Sequence, residues 1–384
     1  TMEHQTVTII GAGIAGLTTA IALNRIGIET QIFEATNKIE PVGAGLGLGL
    51  NAMKAFKALG IYEEVLGQGK LLPSFSIYDP FGKIISKTNF DKELGSGTFS
   101  IHRATLHQLL LSKLDPSTIH LGKRIESFES TDFAVKLKFE DGSTYLSNYV
   151  IVADGIHSVI RQQLVPDAKI RYSGYTCWRA IIKNPQLLVN EASETWGANG
   201  RFGIVPLADN YLYWFACVNA AAEDPHFKSY QVVDIYNRFK KYHGHIPKIL
   251  KASINANLIQ NDISDIIPLN HFAFGRIVLI GDAAHATTPN MGQGACQAIE
   301  DAVIIAKSMS EISNYEHAFL RFEKHRLKRT KWIIDKSRQI GKLAQLEAHN
   351  LIAIRNTLLR CMPDALGKNQ IKKIEEVDFE NIRN

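Results

Sequence analysis

The chain has few cysteines, and they are not arranged to bind a metal. Its 384 residues include four, Cys177, Cys217, Cys296 and Cys361, which are widely spaced along the chain. No two of them form a CxxC pair and no histidine pair stands close to them, so we expect no structural metal. The pattern also favours a reducing compartment, and we predict a cytoplasmic protein.

The sequence also lacks a long apolar run and a strong excess of either charge. No apolar stretch reaches the about 18 residues that a membrane-spanning helix needs, so we expect no stable membrane insertion. The glycine motif described below begins at Thr6, close to the start of the given sequence, so we expect no signal peptide. The net charge is only +5, and the most basic stretch, residues 321–342, predicts a solvated helix face more readily than a nucleic-acid or membrane surface.

The length and composition are those of a globular protein with more than one domain. A chain of 384 residues exceeds the usual size of a single domain. Hydrophobic residues make up 45% and charged residues 21%, which is ordinary for a chain with a sizeable core. We therefore expect two domains and a small-molecule substrate.

Residues 6–34, TVTIIGAGIAGLTTAIALNRIGIETQIFE, predict a strand, a glycine turn, a helix and a second strand. Gly11 permits the tight turn, Gly13 lets a pyrophosphate approach the backbone, and Gly16 lets the helix pack on the strand. Glu34 follows at the end of the second strand, where a carboxylate can accept hydrogen bonds from a ribose. The unit predicts a dinucleotide site and leaves open whether the ligand is FAD or NAD(P).

A second glycine-rich run, residues 41–51, does not fit the same pattern. Counted from Gly43 or Gly45, the last glycine position holds Leu48 or Leu50, and no strand precedes the run. It predicts a flexible backbone segment that passes close to a ligand or to a sheet. Asn51 is expected to cap the helix that follows.

Two further buried strands end in an acid. Residues 150–155 end in Asp154-Gly155, and residues 276–282 end in Gly281-Asp282. Ligands of open α/β sheets bind at the carboxyl ends of the strands, so both acids are expected to face a ligand, with a solvent-exposed turn as the alternative. Gly292 and Gly294 then precede a helix and expose N–H groups to an electron-rich ligand, unless they form a plain connector.

The remaining segments differ in character. Residues 171–270 are aromatic and rich in strand patterns, with helical signals only near 230–243, and they form the candidate substrate domain. Asp79-Pro-Phe-Gly82 predicts a turn within a strand-rich segment, and Asp141-Gly142 predicts a hairpin. From Tyr315 onward the pattern is helical.

The three motifs in this order, GxGxxG…E, Asp-Gly and Gly-Asp, resemble those of single-component FAD-dependent aromatic hydroxylases, the group of para-hydroxybenzoate hydroxylase and salicylate hydroxylase. The resemblance covers roughly residues 5–362, and its most specific part is GDAAHATTPNMGQGACQAIEDA at residues 281–302. Within the group, YSGYTCWR at residues 172–179 is similar to zeaxanthin epoxidase and FAD-dependent urate hydroxylases.

The resemblance implies an α/β fold with a Rossmann-like FAD-binding domain, an inserted β-sheet substrate domain and C-terminal helices. On this basis we predict a discontinuous FAD-binding domain at 1–72, 98–170 and 271–310. The β-rich substrate domain is predicted at 73–97 and 171–270, and the C-terminal helical segment at 311–384.

The resemblance also implies which residues hold FAD. The glycine unit would bind the pyrophosphate, Glu34 the adenosine ribose, and Arg103 the phosphate region. Asp154 would serve both FAD and NAD(P)H, Asp282 the ribityl or pyrophosphate part, and the loop before residue 295 the pyrimidine edge of the flavin. The residues predicted to bind the cofactor are Gly11, Gly13, Ile14, Ala15, Gly16, Glu34, Ala35, Arg103, Asp154, Asp282, Pro289, Gly292, Gly294 and Ala295.

The activity that the resemblance implies is a monooxygenation. NAD(P)H would reduce FAD transiently, O2 would add at the flavin C4a, and the hydroperoxide would transfer one oxygen to a planar aromatic or heteroaromatic substrate. Epoxidation of an apolar olefin by the same intermediate is an alternative, and a flavin-binding dehydrogenase or non-oxygenase module is another. We expect a monomer or a homodimer; the sequence does not choose between NADH and NADPH.

Arg201 and Tyr213 are the candidate catalytic residues. Their spacing of twelve resembles that of the arginine and tyrosine with which urate hydroxylases hold and activate their substrate. An arginine can hold an anionic or carbonyl-bearing ring, and a tyrosine can orient or deprotonate it. The alternative places Arg201 in a turn and Tyr213 in the packing of the sheet. Asn290 follows Pro289 where urate hydroxylases have an acid, so urate itself is in doubt.

Overall fold

The computed structural model describes residues 5–40, 43–90 and 98–380. Residues 41–42, at the start of the second glycine-rich run, and 91–97, at the end of the predicted 73–97 segment, lie outside the described residues. The strands are β1 Val7–Ile10, β2 Thr30–Phe33, β3 Gly45–Leu48, β4 Lys70–Leu72, β5 Ser74–Tyr78, β6 Ile84–Asn89, β7 Thr98–His102, β8 Ile119–His120, β9 Ile125–Ser130, β10 Val135–Phe139, β11 Thr144–Ser147, β12 Tyr149–Val152, β13 Ile170–Lys183, β14 Ala192–Gly197, β15 Gly200–Pro206, β16 Tyr211–Asn219, β17 Ile259–Ile266, β18 Ala273–Phe274 and β19 Ile277–Leu279.

The helices account for most of the remaining described residues. They are α1 Ile14–Arg25, α2 Leu50–Leu59, α3 Tyr62–Gly67, α4 Arg103–Leu111, α5 Val159–Leu164, α6 Pro225–Lys228, α7 Val232–Phe239, α8 Ile246–Ala252, α9 Asp282–His285, α10 Gly294–Glu311, α11 Tyr315–Ala344, α12 His349–Arg360 and α13 Asp364–Glu375. Among the residues that the structure describes, no helix is long and apolar enough to cross a membrane.

A six-stranded sheet in the order β18-β19-β12-β1-β2-β8 carries the glycine motif. Its strands are parallel except β18. All four residues of β1 and all four of β12 are buried, as expected for parallel strands covered on both faces. Because β1, β12 and β19 are adjacent and parallel, their carboxyl ends meet at one edge of the sheet.

A seven-stranded sheet in the order β17-β13-β16-β15-β14-β5-β6 forms the second layer of the molecule. One face is covered by α6, α7 and α8, against which Trp178, Phe202 and Trp214 pack. Side chains alternate along each strand, so the residues between these aromatics point to the opposite face. That opposite face carries Arg201 and Tyr213, since Arg201 pairs with Cys217 and Val205 pairs with Tyr213 across β15 and β16.

The predicted turns are confirmed. Asp79–Gly82 lies between β5 and β6, and Asp141-Gly142 lies between β10 and β11. The second glycine-rich run is more regular than expected, because Gly45–Leu48 forms β3 of the small sheet β3-β7-β4. Helices α6 and α8 add to the single helical region predicted within 171–270.

The expectation that Asn51 caps a helix is wrong. Helix α2 begins at Leu50 with Gly49 as its N-cap, and Asn51 lies inside the first turn. Its amide group donates instead to Glu300 at 2.6 Å and to Gln293 at 3.0 Å. A hydrogen bond to a buried carboxylate is stronger than one to a backbone N–H, which explains why the side chain turns inward.

The long helix α11 connects the two large sheets. Its Arg326 donates to Asp301 on α10 at 2.6 Å, and its Arg338 donates to Asp265 on β17 at 3.1 Å. Between them, Ser337 hydrogen-bonds through its hydroxyl to Thr288. The basic face predicted for this helix is therefore only partly solvated, since these arginines have partners inside the protein.

Candidate active site

The glycine turn after β1 has the geometry that its sequence predicts. Gly11 adopts a φ of +102°, which favours glycine, and a Cβ there would lie 2.3 Å from the carbonyl oxygen of Ala153. A Cβ on Gly16 would lie 1.9 Å from the carbonyl oxygen of Gly11, so α1 packs directly on the turn. A Cβ on Gly13 would meet nothing within 4 Å. Gly13 therefore borders open space, whereas Gly11 and Gly16 are required by the fold itself.

The N-terminus of α1 is available to an anion. Gly13 is its N-cap, and no side chain accepts a hydrogen bond from the first turn. No acid lies in that turn, so the positive end of the helix dipole is not neutralised locally. Ile14 and Ala15 form the first helical residues, and the half-buried Ala15 contacts the position a Cβ on Gly281 would take.

Glu34 lies beside this turn at the end of β2. Its carboxylate accepts from the N–H of Ala12 at 2.8 Å and from the N–H of Thr36 at 2.9 Å. Ala35 follows Glu34 in the chain and is half-buried. A ring nitrogen of His107 on α4 lies 2.7 Å from the carbonyl oxygen of Ala12. These contacts fix the turn and keep one acidic group at the edge of the sheet.

Asp154 is held at the adjacent strand end with an unsatisfied acceptor. Ala153 donates to Ile10 at 2.8 Å, which aligns the end of β12 with the end of β1. Oδ1 of Asp154 is buried and has no hydrogen-bond partner among the described residues. Burial raises the pKa of this carboxyl to about 6, against the opposing effects of the Ser158 hydroxyl and the nearby Arg161. A buried acceptor without a partner is costly, so this position fits a ligand hydroxyl.

Asp282 completes the same edge of the sheet. Ile280 donates to Val152 at 2.9 Å, and the chain then turns at Gly281 with a φ of +57°. Asp282 opens α9 and its side chain is exposed. The structure thus brings the glycine turn, Asp154 and Asp282 to neighbouring strand ends, although 271 residues separate Gly11 from Asp282 in the chain.

The loop between α9 and α10 leaves its backbone open. Pro289 and Gly292 are exposed, Gly294 and Ala295 are half-buried, and Gly292 has a φ of +63°. Gly294 is the first residue of α10, and no side chain caps that helix. Gln293 holds the loop in place, because it is buried and the oxygen of its side-chain amide accepts a hydrogen bond from Asn51.

A buried charge network supports the same loop. The carboxylate of Glu300 on α10 accepts hydrogen bonds from Asn51 on α2, from Arg326 at 3.0 Å and from Arg329 at 2.8 Å. Its neighbour Asp301 lies 2.5 Å from a ring nitrogen of His285 and accepts from the N–H of Gly281 at 2.8 Å. The two arginines hold the pKa of Glu300 below its usual value in spite of burial. The network joins α2, α9, α10 and α11 around the loop.

Arg103 lies beside the second glycine-rich run. It begins α4, is exposed, and donates its N–H to Ala44 at 3.0 Å. A Cβ on Gly43 would lie 2.9 Å from its side chain, so the glycine-rich run passes directly over it. A cleft lined by Gly43, Ala44, His102 and Arg179 opens next to it.

Arg201 and Tyr213 lie on the inner face of the seven-stranded sheet, and neither sits in a turn. Tyr213 is 8% exposed and contacts β3, where a Cβ on Gly45 would lie 2.7 Å from its ring. Burial raises the pKa of the Tyr213 phenol, and the nearby charge of Arg179 opposes the rise only in part. A neutral phenol orients a substrate by hydrogen bonding, and this environment disfavours its use as a base at neutral pH.

Arg201 is a buried cation without a full counter-charge. It is 2% exposed, and its Nη1 lies 3.7 Å from Glu194, whose carboxylate already accepts from Trp196 at 2.6 Å. Nε of Arg201 has no partner among the described residues, and Nη2 reaches only the Sγ of Cys217 at 3.7 Å. An uncompensated buried charge is destabilising, which favours a ligand oxygen at this place.

Tyr175 and Asn290 join the sheet to the loop. The Tyr175 hydroxyl donates to Asn290 at 3.2 Å, and the guanidinium of Arg201 lies 5.6 Å from the centre of the Tyr175 ring. The amide group of Asn290 also donates to Thr288 and to the carbonyl oxygen of Ser337, both at 2.9 Å. Asn290 thus holds the loop against α11, a structural role that an amide can fill and that explains its place here.

These features fit FAD. Helix α1 has an uncapped N-terminus, Oδ1 of Asp154 has no partner among the described residues, and Pro289 and Gly292 of the loop are exposed. The residues that would hold the adenosine and pyrophosphate end are those of the glycine turn, Glu34 and Arg103. Asp154, Asp282 and the loop would hold the flavin end; these assignments remain predictions.

Several residues of the site were missed by reasoning from the sequence. Tyr175, Cys177 and Arg179 alternate along β13 and share the face of Arg201. Their period of two was a usable signal once the strand had been predicted. Asn51, Gln293 and Glu300 carried no such signal, because about 240 residues separate the first from the others.

The chain is similar to known FAD-dependent proteins over most of its length. The model of the family described as FAD binding domain matches residues 4–337. The chain is 35% identical to the aurachin C monooxygenase/isomerase of Stigmatella aurantiaca, with 93% of this chain and 94% of the relative covered. It is 31% identical to the 2-heptyl-3-hydroxy-4(1H)-quinolone synthase of Pseudomonas aeruginosa, over 94% of this chain and 95% of that protein. The crystal structure of Klebsiella pneumoniae HpxO complexed with FAD and uric acid matches with a TM-score of 0.88 and 25% identity, covering 98% and 97% of the two chains.

Proposed function

This chain belongs to the family of FAD-dependent aromatic hydroxylases and is an FAD-dependent monooxygenase acting on aromatic substrates, and we propose that NAD(P)H is its electron donor. When bound, FAD would supply the difficult chemistry, the activation of O2 through the C4a-hydroperoxide that the resemblance implies. The protein's own residues would bind and orient the substrate and exclude water.

We further propose that the substrate is a planar heteroaromatic ring with a ring carbonyl or hydroxyl oxygen. The observation that carries this proposal is the buried Arg201, whose Nε lacks a partner and whose guanidinium faces the same space as Tyr213. A carbonyl or anionic oxygen would complete the hydrogen bonds of Arg201, and Tyr213 would orient the ring from the opposite end of the face.

The names of the relatives narrow the class to be screened first. One is named for forming a 3-hydroxy-4(1H)-quinolone with a heptyl group, and the crystal structure of another contains uric acid. Both names describe planar nitrogen heterocycles with ring oxygens. Because Asn290 is committed to Tyr175 and α11 and cannot act as a carboxylate base, we place quinolones before urate.

The experiment is a screen of such heterocycles for stimulated NAD(P)H oxidation, scored by oxygenated product with labelled O2. Arg201→Gln should lower kcat/KM about 10- to 150-fold, the value of a hydrogen bond to a charged group, and Tyr213→Phe should lower it about tenfold. Tyr211→Phe and Arg124→Gln are matched controls, because these side chains are exposed. Equal losses in the controls, or no oxygenated product from any heterocycle, would contradict the proposal.

A further inference from the structure

Two of the four cysteines face each other across adjacent strands. Cys177 on β13 pairs directly with Cys217 on β16 in antiparallel register. Residues opposed in this way have Cα atoms about 4.5–5.5 Å apart, which lies inside the about 4.4–6.8 Å range of disulfides. Both residues are 1% exposed; the Sγ of Cys177 donates to the carbonyl oxygen of Trp178 at 3.7 Å, and the Sγ of Cys217 accepts from Arg201. A disulfide can therefore form here without a change of register.

The two thiols have unequal surroundings. Nη2 of Arg201 lies 3.7 Å from the Sγ of Cys217, and this guanidinium lacks a full carboxylate partner. The neighbouring Cys177 thiol and the charge of Arg201 hold the pKa of Cys217 below its usual value in spite of burial, whereas the neighbouring Cys217 and burial raise the pKa of Cys177. Cys217, beside the guanidinium, is thus the more acidic thiol of the pair, as expected of an attacking cysteine with Cys177 as the resolving one.

The pair lies between the two contacts that join the sheet to the rest of the site. On one side of the pair, Tyr175 of β13 hydrogen-bonds to Asn290 of the loop. On the other side, Tyr213 of β16 packs against Gly45. Cys296 and Cys361 lie elsewhere, one buried on α10 and one exposed after α12. The pair therefore shares the face of the sheet that carries Arg201 and Tyr213, which the other two thiols do not.

We propose that Cys177 and Cys217 form a peroxide-reactive dithiol that closes to an intrachain disulfide on the face of the seven-stranded sheet that carries Arg201 and Tyr213. The Cys217 thiolate attacks one oxygen of hydrogen peroxide, the O–O bond breaks, and the departing hydroxide takes a proton to give water. The Cys177 thiol then attacks the sulfur of the Cys217 sulfenic acid, the S–O bond breaks, and a second water leaves. Two thiols are oxidised by two electrons, and one peroxide is reduced to two waters.

An internal source of peroxide rests on the proposed function, because an oxygenase that consumes NAD(P)H without substrate releases hydrogen peroxide. The dithiol chemistry itself requires only the peroxide. The pair would consume peroxide at the place where it is formed, next to the arginine that we assign to substrate binding.

The test uses the reduced, FAD-loaded protein carrying Cys361→Ser, so that no exposed thiol interferes. Hydrogen peroxide is added in equimolar amount, free thiols are alkylated, and peptides are identified by mass spectrometry. We expect a peptide linked through Cys177 and Cys217, reversed by a dithiol reductant. In Cys177→Ala the oxidation should stop at Cys217, trapped as its dimedone adduct, and in Cys217→Ala no adduct should form on Cys177. Cys296→Ala is the matched buried control and should behave as the parent.

The rate of Cys217 oxidation in Arg201→Gln tests whether the guanidinium activates this thiol, which the mere proximity of two thiols does not require. Without the guanidinium the thiolate fraction at pH 7 falls, so the rate of Cys217 oxidation should fall about tenfold. Three free thiols after peroxide, or an unchanged rate in Arg201→Gln, would overturn the proposal. A disulfide formed with added peroxide but not during NAD(P)H turnover, with catalase as the control, supports the dithiol and counts against the proposed oxygenase reaction instead.

Discussion

Two buried charges in the site are held without full partners, and both face the region where ligands would bind. Asp154 has an unpartnered Oδ1 at the end of β12, and Arg201 has an unpartnered Nε on the inner face of the second sheet. Fully packed proteins leave few such groups, because each costs about 1–3 kcal/mol. We predict that Asp154 faces the cofactor and that Arg201 faces a substrate oxygen.

The carboxyl group of Asp154 gives a prediction about stability against pH. Its pKa of about 6 in the folded protein exceeds the ordinary 3.8, so ionisation costs free energy in the folded state. The cost is absent when the pH lies below the ordinary pKa and is fully present above the folded pKa. In the FAD-free protein, Asp154→Asn should therefore raise the free energy of unfolding by about 1–3 kcal/mol at pH 8 and by only about a third as much at pH 4.5.

Urea denaturation at the two pH values measures this difference. Asp282→Asn is the matched control, because its carboxylate lies at the same sheet edge but is exposed. A gain that is equal at both pH values would show that burial of the charge is not the cause. FAD binding should weaken in Asp154→Asn, since the acceptor that fits a ligand hydroxyl is then replaced in part by donors.

At the scale of elements, the glycine turn and α1 separate residues that the fold needs from residues that the ligand needs. A Cβ on Gly16 would collide with the backbone of Gly11, whereas a Cβ on Gly13 would have no other segment of the described chain within 4 Å. The same motif thus serves two purposes that its sequence pattern does not distinguish.

This difference gives a paired prediction. Gly16→Ala should destabilise the FAD-free protein by about 1–3 kcal/mol, the usual cost of overpacking, and should also weaken FAD binding. Gly13→Ala should leave the unfolding midpoint of the FAD-free protein unchanged, because its φ of −78° suits any residue, and should lower FAD affinity at least tenfold. Thermal unfolding and flavin fluorescence titration measure the two effects, and unchanged FAD affinity in Gly13→Ala would contradict the pyrophosphate assignment.

At the scale of the whole molecule, the candidate FAD site and the substrate sheet are coupled through α11. Arg338 on this helix contacts Asp265 of the second sheet, and Arg326 contacts Asp301 beside the loop of the site. Three of the four tryptophans, Trp178, Trp196 and Trp214, lie in the second sheet. Tryptophan fluorescence therefore reports on a part of the protein outside the strands that would bind FAD.

FAD should raise the tryptophan-monitored unfolding midpoint. At a free FAD concentration 100 times the dissociation constant the gain is about 2.7 kcal/mol, and it should reach the second sheet because one cooperative transition includes both. Arg338→Met, which removes the contact to Asp265, should reduce the part of the gain seen by tryptophan. A tryptophan transition that FAD does not move would show that the two sheets unfold independently.

The sequence by itself determined the local chemistry. The buried strand followed by glycines, the acids at strand ends and the turns at Asp79–Gly82 and Asp141-Gly142 follow from backbone sterics and from the period of the side chains, which act over short distances along the chain. The fold class and FAD as cofactor were implied by the resemblance to a known family that the order of these motifs carries. The assignments of individual residues to FAD and to substrate remain predictions.

Only the tertiary structure decided how distant residues combine. Packing brings together groups that are remote along the chain. Asn51 therefore donates to the carboxylate of Glu300 and does not cap its helix, Asn290 accepts from Tyr175, and Cys177 lies opposite Cys217. The free energy of burying a charge depends on all its neighbours, so the partners of Arg201 and Asp154 could not be read from spacing. The motif at the start of the chain predicts a dinucleotide, whereas the surroundings of Arg201 and Asp154 are decided by packing between distant segments.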